Sequence, residues 1–199
     1  MRKKGYKFLV GIITLLMLNF NVNAQDNNLL NEFEGEWNFK PAESEVKFKI
    51  GNLFILNVKG EMPLKKGHLI NNNDQFEVKV VIDPTSLETG INKRDDHLKS
   101  EDFFYVEKYP VIEFVGTQVL KNNNEKRDKY KYKTTGNLTI RSVTKEKEVY
   151  FNIEKISHTE ILITGESKIN RIEYNVDYDM AGMGEEAKVK FEVKAQITE

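Results

Sequence analysis

From Glu45 onward the chain alternates apolar and polar residues with a period of two, and this pattern limits the fold more than any other feature. Val46, Phe48 and Ile50 alternate with Glu45, Lys47 and Lys49. Phe54, Leu56 and Val58 share one parity, and Phe76, Val78, Val80 and Ile82 alternate with Glu77 and Lys79. Leu138 and Ile140, then Val149, Phe151 and Ile153, continue the theme, and Val189, Phe191, Val193, Ala195 and Ile197 close the chain. Successive side chains of a strand point to opposite faces, so this periodicity predicts half-buried antiparallel strands. Turn signals at Lys65-Lys66-Gly67, 71–74, 121–129 and 181–184 divide them. The result is an all-β domain of roughly eight to ten strands, and the pattern alone leaves sandwich and barrel both open.

One stretch breaks the rhythm. Asp83 to Pro110 is too long for a hairpin turn and too apolar for a disordered linker, with Leu87, Ile91, Leu98, Phe103, Phe104, Val106 and Tyr109. Pro84 ends the preceding strand because it has no amide to donate. Asn92 is expected to cap a short helix that places Ile91, Arg94, Asp95 and Leu98 on one face. Ser100 is expected to cap a second turn. The segment reads as a short helical flap between two strands.

The first 24 residues have the form of a secretory signal peptide. Arg2, Lys3, Lys4 and Lys7 make a charged start, Phe8 to Leu18 an apolar stretch too short to span a bilayer, and Val22-Asn23-Ala24 a cleavage site. A mature chain from Gln25 loses those four cations, which takes the formal charge from −1 to −5. A mildly acidic domain with scattered charges does not suit nucleic acid, which needs a basic patch. The chain has no cysteine. Disulfides, thiolate metal sites, catalytic thiols and a lipid anchor on cysteine are therefore excluded. The expected product is periplasmic or secreted, with a polar leader over 25–36, one domain over 37–199 and no stable membrane anchor.

Three motifs carry a family resemblance. RDDHLKSEDFFYVEKYPVIEF at Arg94 to Phe114, GNLTIRSVTKEKEV at Gly136 to Val149 and INRIEY at Ile169 to Tyr174 stand in order and at the right spacing. Together they resemble the YceI-like family over Trp37 to Ala195. Ser142 and Asn175 stand where that family usually has glycine, and Tyr105 where it often has aspartate. The resemblance implies an extended eight-stranded, lipocalin-like antiparallel barrel that binds a long-chain isoprenoid or other lipid. A barrel of that strand number can hold one small ligand. The apolar tail is expected to meet interior aromatics such as Phe48, Phe76, Phe114 and Phe151, with Phe103 and Phe104 over the opening. Arg94 and His97, oriented by Asp95, are expected to meet the head group. The competing reading makes Arg94 and the carboxylates a network that fixes the flap. Arg171 is a second candidate for a polar ligand contact or an internal ion pair.

No catalytic or metal motif is evident. The three histidines lie far apart, and no G-x-S-x-G elbow is present. No cofactor is expected, and binding needs no catalytic residue. Two other function classes stay in view. One is an enzyme acting on a lipid at the barrel mouth, with His97 as its centre. The other is a structural barrel with a filled interior. A homodimer through an exposed edge strand is also open.

Overall fold

A computed structural model describes residues 30–52, 57–72, 75–178 and 182–198. The expected signal peptide, the start of the leader and the alternation at Phe54 and Leu56 lie outside the described residues. The strands are β1 (Gly35–Phe39), β2 (Glu45–Asn52), β3 (Val58–Glu61), β4 (Leu64–Asn72), β5 (Gln75–Ile82), β6 (Ile112–Lys121), β7 (Tyr132–Ile140), β8 (Val143–Lys155), β9 (Glu160–Asn170) and β10 (Met183–Ile197). Among the described residues a single α-helix, α1 (Asn92–Lys99), stands between β5 and β6.

Every pairing is antiparallel, and the order β1-β4-β5-β6-β7-β8-β9-β10 returns to β1, which closes an eight-stranded barrel. β1 and β2 share one place in the ring. β1 pairs with the end of β10 (Phe39 opposite Ala195), and β2 pairs with its earlier part (Phe48 opposite Val189). β3 pairs outward on β2, and its own edge is stitched to the flap by Glu61 N to Glu88 O at 2.8 Å and Glu88 N to Glu61 O at 3.1 Å. Closure removes the open edges that make an isolated sheet sticky.

Two buried clusters occupy the two ends of the barrel. The lower one joins Leu30, Phe33, Trp37, Phe39, Leu69, Phe151, Ile161 and Val193. The upper one gathers Met62, Leu87, Leu98, Phe103, Ile112, Leu138, Tyr174 and Val176 beneath the flap. The described part of the polar leader is anchored to the barrel, because Leu30 and Phe33 are each only 2 % exposed. Phe33 accepts the Trp37 indole N–H at 2.9 Å, and Leu30 accepts the Asn71 amide at 2.9 Å. Two apolar side chains in a polar stretch are enough to cork the lower end.

Lys65-Lys66-Gly67 lies inside β4, with a bulge at Lys65, and is not a turn. The glycine is required by close approach, since a Cβ there would lie 2.5 Å from both the Phe39 ring and the Lys79 carbonyl. Two turns confirm the missing glycines in another way. Arg141 and Ser142 both have positive φ (48° and 63°) in the two-residue β7–β8 connection, and Asn175 has φ 58°. Left-handed backbone costs an ordinary L-residue about 1–2 kcal/mol, and asparagine tolerates it best. Asn175→Val should lose stability on that order by urea denaturation, while Asn175→Gly should match the wild type. Equal midpoints for all three would show that this backbone is unstrained.

Candidate functional site

The barrel interior holds an apolar cavity of about 220 Å³. It is long in reach and narrow in bore. Its wall runs from Phe39 and Val193 at the lower cluster to Tyr174 and Val176 under the flap. Period two supplies this wall: Val46, Phe48 and Ile50 of β2, Phe76, Val78, Val80 and Ile82 of β5, and Val189, Phe191 and Val193 of β10 all turn inward. Phe48, Phe76, Val78, Val80 and Phe191 are only half-buried although they face inward. A packed core would bury them, and here the cavity leaves them uncovered.

Few polar groups reach this wall, and most are satisfied within the protein. The Thr134 hydroxyl donates to Gln118 O (2.7 Å) and that of Ser167 to Glu148 O (2.9 Å). Lys147 Nζ donates to Glu173 Oε2 at 2.7 Å, and this hydrogen bond holds the Glu173 carboxyl below the usual range. Arg171, 7 % exposed, donates to the carbonyls of Gly184 (3.0 Å), Val176 (2.6 Å) and Tyr178 (3.3 Å). It therefore braces the loop that frames the mouth. The exception is Tyr174, fully buried, whose hydroxyl has no hydrogen-bond partner among the described residues.

Burial, with a smaller contribution from Glu173, pushes the Tyr174 phenol up to about 12. The unfolded phenol ionises near pH 10, so between pH 10 and 12 the unfolded state sheds its proton first. Stability from this group is complete below pH 10 and falls as pH rises to 12, by up to about 1.4 kcal/mol per pH unit. Tyr174→Phe should flatten that decline and raise the stability of the empty protein by about 1 kcal/mol, because an unpartnered buried hydroxyl is removed. Identical alkaline slopes for the two proteins in urea titrations would refute this placement of the hydroxyl.

The expected site residues separate into two groups. Phe48, Phe76, Phe103, Phe104, Phe114, Phe151 and Arg171 line the cavity, whereas Arg94, Asp95 and His97 stand outside its wall. Arg94 Nε donates to Thr89 Oγ1 (2.7 Å) and its Nη2 to Thr89 O (2.9 Å). Asp95, 7 % exposed, accepts from Thr89 N at 2.9 Å and from the Thr89 hydroxyl. These residues are the frame of the flap. Asn92 is the first residue of α1, and Ile91 holds the cap position without a side-chain cap bond. Asp95 reaching back to Thr89 orders that approach instead. Ser100 turns its hydroxyl back to His97 O (2.7 Å) and so closes α1.

His97 Nε2 lies 3.0 Å from Asp102 Oδ2, and its ring meets those of Phe103 and Tyr178 edge-on, each at 5.0 Å. It is the outer layer of an aromatic lid whose inner layer, Phe103, is 1 % exposed. Among the described residues no group of three or more His, Asp and Glu is placed to hold a metal ion. Lys147, Tyr174, Val78, Val80 and Val189 were not singled out as site residues. Lys147 carried a usable signal, since it falls on the inward parity of Val149, Phe151 and Ile153.

Comparison with known proteins gives this geometry relatives. The model of the YceI-like domain matches residues 37–195. A UPF0312 protein of Staphylococcus aureus strain USA300 is 30% identical over 175 residues, 80% of this chain and 95% of the relative. A Staphylococcus epidermidis UPF0312 protein is 30% identical over 176 residues, 82% and 97%. Among solved structures, the Campylobacter jejuni YCEI protein is 26% identical with TM-score 0.58, covering 74% of this chain and 89% of that one. A polyisoprenoid binding domain from Saccharophagus degradans has TM-score 0.66 at 14% identity, covering 81% and 98%, and BcnA of Burkholderia cenocepacia 0.62 at 18%, covering 78% and 98%. At those last identities the likeness is one of fold.

Proposed function

Since this chain belongs to the YceI-like family, we propose that it is an exported lipid-binding protein that holds one long apolar molecule inside the barrel. A polyisoprenoid, an isoprenoid quinone or a similar lipid suits the site, for carriage or storage. The narrow apolar cavity running from one buried cluster to the other carries this reading. It also weighs against a filled structural barrel. Each methylene brought out of water into such a space is worth about 0.8 kcal/mol, so a partly enclosed tail already gives micromolar affinity or better. The S. degradans neighbour is a polyisoprenoid binding domain, which supports the same ligand class. The charged and apolar pattern of residues 1–24 supports export, to the periplasm or beyond.

The role is binding without turnover, because His97 belongs to the lid and contacts Asp102, Phe103 and Tyr178. The cargo's polar group is a neutral acceptor, such as a carbonyl or ether oxygen, that accepts a hydrogen bond from the Tyr174 hydroxyl. The cations on the wall already have internal partners, Glu173 for Lys147 and backbone carbonyls for Arg171. Arg94 and Asp95 serve the site indirectly by holding the flap closed.

The deciding experiment is native mass spectrometry of mature protein purified from its own compartment without detergent, followed by solvent extraction. A stoichiometric excess mass that extracts as a long-chain lipid is expected. A bare polypeptide that stays bare after incubation with prenylated quinones would end this reading.

A further inference from the structure

The strand register sets lysines side by side on the outside of the barrel. Lys59 of β3 lies opposite Lys49 of β2, Lys49 opposite Lys188 of β10, and Lys188 opposite Lys168 of β9. Strands are about 4.8 Å apart, so this row places four cations along roughly 14 Å. Like charges directly opposite one another destabilise a sheet. In the next row Lys47 and Lys190 also face each other, but Glu61 and Glu166 flank them, so each end of that row is acidic. In the lysine row only Lys168 has an ion pair, with Glu186 at 2.8 Å. Lys49, Lys59 and Lys188 are exposed and have no acidic partner among the described residues. General basicity does not explain the row, because the chain carries a formal charge of −1.

The lysines also line a groove. Lys47, Lys49, Lys59, Lys188 and Lys190 border it, with Glu61 beside them and Glu88, Thr89 and Gly90 at the root of the flap. Phe48 forms part of the groove and of the cavity wall, so one ring separates the basic surface from the cargo space. Ile91, next to Gly90, is 53 % exposed.

We propose that this lysine row is a docking surface for an anionic lipid bilayer, which brings the flap to the membrane where the cargo resides. The charge complementarity stands on the register alone. The choice of a bilayer over another polyanion rests on the lipid-binding reading given above. Neighbouring phospholipid head groups present a plane of negative charge to a flat row of ammonium groups. Ile91 would enter the head-group region beside it. Docking at this face places the flap root, held by Thr89 with Arg94 and Asp95, against the lipid surface.

The test is co-sedimentation of the full mature protein with phosphatidylglycerol vesicles and with phosphatidylcholine vesicles. Binding to the first only, weakening with salt, is expected. Each juxtamembrane lysine contributes about five-fold, so the triple variant Lys49→Glu, Lys59→Glu, Lys188→Glu should lose at least about 100-fold. Lys121→Glu, Lys126→Glu and Lys131→Glu make the same charge change at the β6–β7 end and should retain most binding. Equal loss in both triple variants would reduce the effect to net charge and overturn the assignment. Displacement by inorganic phosphate at constant ionic strength would make the groove a free-phosphate site and overturn it too. Salt-sensitive self-association without vesicle binding would assign the face to a second copy of the chain. Vesicle binding in a protein that holds no lipid would sink the cargo reading and leave the docking surface standing. Cargo binding without vesicle binding would do the reverse.

Discussion

Val80→Trp should yield a folded barrel that no longer retains its lipid. Val80 faces the cavity at mid-strand and is only half-buried, so its neighbours leave room for a larger side chain. It lies opposite Gly67 on β4 and Phe114 on β6. An indole at this point fills space that cargo would occupy instead of displacing backbone. If the ring excludes three or four methylenes from burial, about 3 kcal/mol of transfer free energy is lost, on the order of 100-fold in affinity. The thermal midpoint should hold or rise, because the empty cavity is partly filled. A variant that copurifies with wild-type amounts of lipid would show that the cargo does not pass Val80. A variant that fails to fold would show instead that the cavity is too tightly bounded to receive cargo there.

Gly165→Val is expected to destabilise the barrel strongly. On propensity alone this substitution should help, since valine suits a strand and glycine weakens one. The register reverses the sign. Gly165 lies between Phe151 on β8 and Phe191 on β10. A Cβ at Gly165 would stand 2.5 Å from the Tyr150 carbonyl and 2.8 Å from a Phe191 ring carbon. The carbonyl belongs to the ladder and cannot swing away, so strands must separate or the ring must enter the cavity. Overpacking of this kind costs about 3 kcal/mol, or roughly 10 °C in a domain of this size. An unchanged urea midpoint would mean that the Phe191 ring moves freely, and that the cavity is wider than this geometry makes it.

Both substitutions depend on inward parity, and parity was legible in the sequence. The alternation at Phe76 to Ile82 and at Val189 to Ile197 marked which side chains share a face; Phe76 to Ile82 and Val189 to Val193 line the cavity, and Ala195 and Ile197 pack in the lower cluster. The three motifs further implied an eight-stranded barrel, which the closed ring from β1 to β10 bears out. The flap was visible as an apolar segment too long for a hairpin, and its helix formed at Asn92–Lys99.

The expected head-group site was less legible. Arg94, Asp95 and His97 looked like a polar cluster at a mouth, but a charged motif has the same sequence whether it binds a ligand or ties down a loop. The distinction lies in Thr89, five and six residues upstream, whose backbone and hydroxyl occupy both Arg94 and Asp95. Arg171 was open between ligand contact and internal pairing, and its bonds to three backbone carbonyls became apparent only once the loop after β9 was in place.

The sequence by itself determined which residues face inward, where the strands give way to a flap, and that the chain chemistry excludes thiols. Those are local properties, because period two, proline and composition act within a few residues. Tertiary structure decided the rest. It left the cavity open, isolated the Tyr174 hydroxyl, placed a glycine between two phenylalanines and aligned four lysines from four strands. Each depends on register between distant segments, where a shift of one residue would turn every side chain of a strand to the other face.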